Sequence, residues 1–272
     1  MNRNEGNELY LKAQKLALRD YREKMLAGQS PFLPVLDDIL QNVPVENQIP
    51  LGQVDIPLNL LVGTKTTGRT AAFASNFMPL LDLKTEFASK WVNLCLSHLE
   101  EGIRDPIRCY EYMGRFYVQE GNKRVSVLKY FDATSILGNV IRIVPQYSED
   151  PAVQMYYEFM HYYPITQTYL LTFTKPGSYA RLQKILGKGP DEKWSDEDRV
   201  EIMSLYNWVE KAFLAHRGAK LSVTAGDVLL LLLRVYTMKE LADSSPSELS
   251  EKLDALWDDC LLYTSPSPRD RG

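Results

Sequence analysis

Residues 115–132 read Arg-Phe-Tyr-Val-Gln-Glu-Gly-Asn-Lys-Arg-Val-Ser-Val-Leu-Lys-Tyr-Phe-Asp, and this stretch decides the fold. Its first part, Phe116 to Val118, is aromatic and β-branched, which suits a half-buried strand. From Lys123 onward, apolar residues recur at helical spacing, while Ser126 and Lys129 fall on the other side. Gly121 lies between the two patterns. The sequence therefore predicts a strand, a glycine turn and a helix.

The predicted turn is suited to an anion. The first backbone N–H groups of a helix have no partner within the helix, and they would point into the turn beside Lys123 and Arg124. A phosphate is the natural ligand for such an arrangement. The alternative is an ordinary strand-to-helix turn with two solvated basic residues.

The flanking residues predict further strands. Ile107–Tyr110 and Arg115–Val118 have the pattern of a hairpin around Met113 and Gly114, and Val140–Val144 predicts a third strand after the helix. Upstream, Gln53–Leu61 predicts an opening strand.

Helical patterns surround this core. Apolar periodicity predicts helices over Glu8–Ala27, Val35–Leu40 and Thr70–Phe77, and a longer one that contains Phe87 and ends at Gly102.

These residues resemble the core of the ParB and sulfiredoxin superfamily. The similarity lies in Gly102-Ile103 and Pro106-Ile107, in Gly121 to Arg124, and in a strand that ends at Pro145. It covers roughly residues 50–146. The resemblance implies an α+β fold with a small mixed sheet, flanking helices and a helical C-terminal region. It also implies a phosphate-binding role for six residues: Gly121, Asn122, Lys123, Arg124, Thr66 and Arg69.

The ligand implied by this resemblance is a nucleoside triphosphate with Mg²⁺; otherwise the chain takes no cofactor. Sulfiredoxins carry a nucleophilic cysteine directly after the turn glycine, where this chain has Asn122, so that chemistry is excluded. The Glu-Asn motif of nucleotide-hydrolysing partition proteins has no equivalent between Gln146 and Tyr163. We therefore expect a binding module rather than an enzyme, with no catalytic or metal-ligating residue. A hydrolase would need a carboxylate at the turn, and Glu120 is the adjacent one.

Charge argues against DNA as a partner. The 272-residue chain has 45% hydrophobic residues and a formal net charge of −4, which is typical of a globular protein without a basic face. Four capping-box patterns predict short helices in series near the C-terminus, beginning at Ser195, Thr224, Thr237 and Ser245. Acidic residues outnumber basic ones between Thr224 and Trp257. Two alternatives to the nucleotide module remain: a DNA-binding, partition-like regulator and a purely structural or interaction domain.

The sequence predicts four regions. They are an N-terminal helical arm (1–49), the ParB-like core (50–146), a mostly helical region (147–258) that includes a strand over Thr168–Phe173, and a disordered, non-native tail (259–272). The tail is similar to translated sequencing-adapter sequence. The helical region could form a homodimer or bind a partner protein.

Residues Asn7–Trp257 also resemble clostridial proteins in which a ParB-like domain precedes a substrate-binding domain of the basic membrane protein (BMP) family. That resemblance implies that this chain is the N-terminal part of a longer protein. No signal peptide or membrane span is expected. The sequence contains three cysteines and no Cys-x-x-Cys pair among them: Cys95, Cys109 and Cys260. We therefore expect the protein to reside in the reducing cytoplasm.

Overall fold

The computed structural model describes residues 2–216 and 222–257, with the exception of the Arg69 side chain. Within them the fold is α+β, as predicted. The chain divides into two compact units, one up to Gln146 and one from Tyr147 on. The expectations for residues 258–272 and for Cys260 lie outside the described residues.

The first unit contains a five-stranded mixed sheet with the strand order β1-β5-β3-β4-β2. The strands are β1 (Val45–Pro57), β2 (Leu61–Thr64), β3 (Ile107–Tyr112), β4 (Arg115–Glu120) and β5 (Ser135–Pro145). The pairs β1–β5 and β3–β4 are antiparallel, whereas β3–β5 and β2–β4 are parallel. The predicted hairpin is confirmed, and the third strand starts at Ser135 rather than Val140.

The helices of the first unit are α1 (Arg3–Leu26), α2 (Leu36–Ile39), α3 (Glu86–Glu101) and α4 (Asn122–Tyr130). Tyr10 of α1, Trp91 of α3 and Val127 of α4 are fully buried in one core cluster. The Tyr10 hydroxyl also donates to the Leu81 carbonyl at 2.7 Å. Helix α1 is therefore integral to this unit.

That packing corrects the boundary expected after residue 49. Strand β1 begins at Val45 and continues through this position, held by its pairing with β5. The helical arm and the core expected as separate regions thus form one unit.

The helix expected over Thr70–Phe77 is also corrected. A 3-10 helix over Thr67–Ala72 ends before Phe73, which bridges to Pro79. Phe77 then takes a φ of 68°, which no α-helix tolerates. This folded loop buries both phenyl rings, because Phe73 is 1% and Phe77 0% exposed.

The second unit is helical. Its helices are α5 (Pro151–Thr166), α6 (Ser178–Ile185), α7 (Asp196–Ala215), α8 (Ala225–Leu232), α9 (Met238–Ala242) and α10 (Pro246–Ala255). All four predicted capping boxes are present, at the starts of α7 to α10. Aromatic rings fill its core; for example, Tyr162 and Tyr179 stack with their centroids 5.2 Å apart.

The strand expected over Thr168–Phe173 is absent from the described second unit. The segment instead crosses the start of α8, where the Thr172 carbonyl accepts a hydrogen bond from Thr224 Oγ1 at 2.5 Å. The buried Asp227 carboxylate accepts the Thr174 N–H at 3.1 Å. Helix α8 thus supplies the partners that a neighbouring strand would have offered.

Candidate functional site

The turn between β4 and α4 can be built only with glycine. Gly121 has φ +111°, and a Cβ atom there would lie 2.5 Å from Ile107 Cγ2. Both the left-handed backbone and the close approach of β3 exclude any side chain. Because Gly121 has no side chain, the backbone of the turn is open to close approach by a ligand.

The start of α4 has no cap of its own. Gly121 is the N-cap residue, no side chain caps the helix, and its first turn contains no acidic residue. The first backbone N–H groups of a helix carry partial positive charge and need acceptors. This N-terminus therefore favours an anion supplied from elsewhere.

Asn122, the first residue of α4, adds an unsatisfied polar group. It is 8% exposed, and its Oδ1 atom is buried without a hydrogen-bond partner. Buried amides are almost always bonded, and exceptions concentrate at functional sites. Asn122 therefore marks the turn as a place where a ligand group is expected.

Helix α6 shows how this protein satisfies a similar start internally. It also begins after a left-handed glycine, Gly177, with φ +76°. There the Glu158 carboxylate accepts the Gly177 N–H at 2.8 Å and the Tyr179 N–H at 3.3 Å. Like α4, helix α6 has no acidic residue in its own first turn, and its carboxylate comes from α5. The comparison indicates what kind of group, an oxyanion, suits the Gly121 turn.

Both cations of the turn are anchored to the protein. Lys123 Nζ lies 4.6 Å from the centroid of the Phe87 ring. Arg124 Nη1 donates to the carbonyls of Asp105 and Pro106, at 2.9 and 2.8 Å. The Arg124 Nε atom lies 3.4 Å from the position of a Cβ on Gly121. The guanidinium thus lies directly against the glycine.

The second predicted loop follows the neighbouring strand at the same edge of the sheet. Strands β2 and β4 are parallel, and the Lys65 N–H donates to the Val118 carbonyl at 2.8 Å where both strands end. Ligands of α/β proteins typically bind beyond the carboxyl ends of parallel strands. Thr66 follows directly and is exposed. Arg69 lies in the 3-10 helix, and its side chain lies outside the described part of the structure.

Acidic groups near the turn do not form a catalytic or metal-binding cluster in the described residues. Glu120 is exposed and lies 3.9 Å from the Arg108 guanidinium. No group of three or more His, Cys, Asp or Glu residues within the described chain could hold a metal ion.

Sequence reasoning missed the residue that fixes α4. Ser126 is fully buried, and its hydroxyl oxygen accepts the Trp91 indole N–H at 2.8 Å. This bond ties α4 to α3 and so holds the start of α4 in place. A serine beside apolar neighbours gives no periodic signal, which is why the pattern assigned it to the solvent side.

No protein-family model matches the chain, and no curated protein matches it. Among the described residues, no helix is both long and apolar enough to cross a membrane.

Proposed function

We propose that the first unit is a nucleotide-binding module of the ParB type, with the phosphates at the Gly121 turn. The observation that carries this proposal is the start of α4, which has no side-chain cap, no acidic residue in its first turn and a buried Asn122 Oδ1 atom without a hydrogen-bond partner. A phosphate supplies the oxyanion that Glu158 supplies at α6.

Each residue has a defined role in this proposal. Gly121 allows close approach, and the backbone N–H groups of the first turn donate to phosphate oxygens. Asn122 Oδ1 accepts a hydrogen bond from a donor group of the ligand. Lys123 and Arg124 provide positive charge. Thr66 and Arg69, from the loop after β2, contact the same phosphates from the neighbouring strand end.

These donors favour a phosphate ligand, and the acidic residues near the turn favour regulation by binding over hydrolysis. Glu120 is the carboxylate adjacent to the turn, and it faces Arg108 rather than a metal cluster. A nucleoside triphosphate would bring its own Mg²⁺. The residues fit this arrangement because the site offers donors for phosphate and no competing carboxylate in the first turn of α4.

Calorimetry with ATP, GTP, CTP and UTP, each with Mg²⁺, tests the proposal. We expect at least one of them to bind, and Asn122→Asp to weaken that binding at least about tenfold, because a carboxylate at the first helical position repels phosphate. Asn93→Asp, at an exposed position of α3, is the matched control and should bind like the parent. If no triphosphate binds, the first unit is a structural or interaction domain instead.

A further inference from the structure

The first unit contains a cavity at the C-terminal end of α4, the end opposite to the Gly121 turn. It has a volume of about 380 Å³, within the size range of small-molecule sites. Its walls are the C-terminal half of α1, the loop around Met78 and the end of α4. Its charged and polar lining includes Arg19, Asp20, Glu23, Asn76, Lys129 and Asp132. An α-helix rises about 1.5 Å per residue, so this cavity is roughly 12 Å from the Gly121 turn.

Lys129 places an ammonium group in this cavity without a carboxylate partner. Within the described residues it forms no ion pair, and its Nζ lies 5.1 Å from the centroid of the Phe77 ring. Burial lowers the pKa of Lys129 to about 8. A dehydrated ammonium group is stabilised by any anion that reaches it.

Carboxylates occupy the other walls. Arg19 and Glu23 pair with each other at 2.8 Å, which leaves Asp20 and Asp132 as the acidic groups of the lining. One oxygen of Asp20 accepts the Ser75 hydroxyl at 2.6 Å. The cavity therefore combines one cationic wall with an acidic one.

Asp132 carries a charge that is unfavourable at its position, although aspartate tolerates a left-handed backbone. It follows the C-cap residue Phe131 and has a φ of 52°, a conformation that favours glycine or asparagine. Its negative charge also opposes the helix dipole at the end of α4. Phe77, beside the cavity, is a second left-handed residue, with φ 68°. Strained backbone is retained mainly where function requires it.

We propose that this cavity binds a small zwitterion of the amino-acid class. The carboxylate of the ligand pairs with Lys129, and its ammonium group pairs with Asp132 and Asp20. Arg19, Glu23 and Tyr130 are the other titratable groups that face the ligand. This inference is independent of the nucleotide proposal, because it uses a different end of α4.

The test begins with the twenty standard amino acids, added singly to the full chain at about 10 mM in thermal unfolding, followed by calorimetry of any that stabilise. We expect one or more to bind, and acetate or methylamine alone to bind much more weakly. Lys129→Met keeps the apolar stem on Phe77, and should weaken binding about ten- to a hundredfold. Lys90→Met, at an exposed ion pair of α3, is the matched control.

Asp132→Asn provides a second variant whose folding is not at risk, since asparagine suits a left-handed position. It should weaken zwitterion binding and leave acetate binding unchanged. The negative charge of the ligand provides a second readout. A bound carboxylate should raise the pKa of Lys129 above about 8, and the pH dependence of Lys129 acylation measures this pKa. Binding by no amino acid, or equal binding by Lys129→Met and the parent, would overturn the proposal. Asn122→Asp should leave amino-acid binding intact, so the nucleotide proposal and the amino-acid proposal are tested separately.

Discussion

Arg142 Nε donates to Glu111 Oε2 at 2.5 Å in the middle of the sheet, between two side chains that are 6% and 0% exposed. The two residues are direct partners in the parallel register of β3 and β5. Glu111 Oε1 also accepts the Gly114 N–H at 2.7 Å, so one carboxylate joins two strands and a hairpin turn. This pair supports the sheet that carries the Gly121 turn.

Breaking this pair should be costly. Arg142→Met leaves a buried carboxylate without its cation, and we expect it to lower the free energy of unfolding by about 3–5 kcal/mol. The double variant Glu111→Leu/Arg142→Met should recover part of that loss, because no charge is left buried while the Gly114 N–H loses its acceptor. Denaturant titration measures both. A single variant within about 1 kcal/mol of the parent would mean that the carboxylate finds water or another donor.

Arg124→Ala should have two separable effects. It removes a charged donor from the phosphate site, which should weaken nucleotide binding by about one to two powers of ten. It also removes the hydrogen bonds to the Asp105 and Pro106 carbonyls, so the melting temperature should fall as well.

Arg22→Ala, at an exposed position of α1 in the same unit, serves as the control for loss of charge. Loss of stability without loss of affinity would assign Arg124 a structural role alone.

The two described cysteines should be inert in the folded protein. Cys95 and Cys109 are 0% and 2% exposed, and burial raises their thiol pKa values to about 11 and about 12. In a Cys260→Ser background, we expect iodoacetamide at pH 7.5 to label neither residue until the protein is unfolded. Replacement of both by alanine should leave nucleotide affinity within a few-fold. Rapid labelling of the native protein would contradict the burial of Cys95 between α1, α3 and α4, or that of Cys109 in β3.

The second unit should lose stability as pH rises above neutrality. His216 Nδ1 faces the Ala212 carbonyl at 2.9 Å, and Nε2 faces Asp254 Oδ1 at 2.6 Å. Only the doubly protonated ring donates to both, so these bonds raise the pKa of His216 above its usual 6.5. A raised pKa stabilises the fold at pH values below 6.5, and this contribution disappears as pH rises through the folded-state value.

The size of this effect should be small, below about 1 kcal/mol, because the Asp254 side chain is 61% exposed. Melting temperatures between pH 5.5 and 8.5 would show it, and His216→Gln should flatten that dependence. If the melting temperatures of the parent and of His216→Gln depend on pH in the same way, the assignment of this effect to His216 is contradicted.

Local sequence predicted the elements around Gly121, because the strand, the glycine and the helix each have a distinct period or conformation. Capping boxes were equally readable at α7 to α10, since each depends on two residues three apart. The α+β class, which the family resemblance implied, agrees with these elements.

Long-range packing was not readable from single segments. The burial of Ser126 depends on Trp91, 35 positions away. The Thr168–Phe173 segment has a strand-like composition, yet its backbone partners come from α8. The sequence-based description of Lys123 and Arg124 was likewise incomplete, because the groups that they contact lie on α3 and in the loop before β3. In each case tertiary contacts decided what a local pattern left open.

Backbone amide NMR gives the most direct test of phosphate binding at the Gly121 turn. Titration of the isotope-labelled chain with the best-binding nucleoside triphosphate and Mg²⁺ should shift the N–H signals of Asn122, Lys123 and Arg124 downfield, as expected for amides that donate to phosphate. Inorganic tripolyphosphate should shift the same signals at higher concentration. Saturating nucleotide that leaves these three signals in place, or that shifts signals elsewhere instead, would contradict the account.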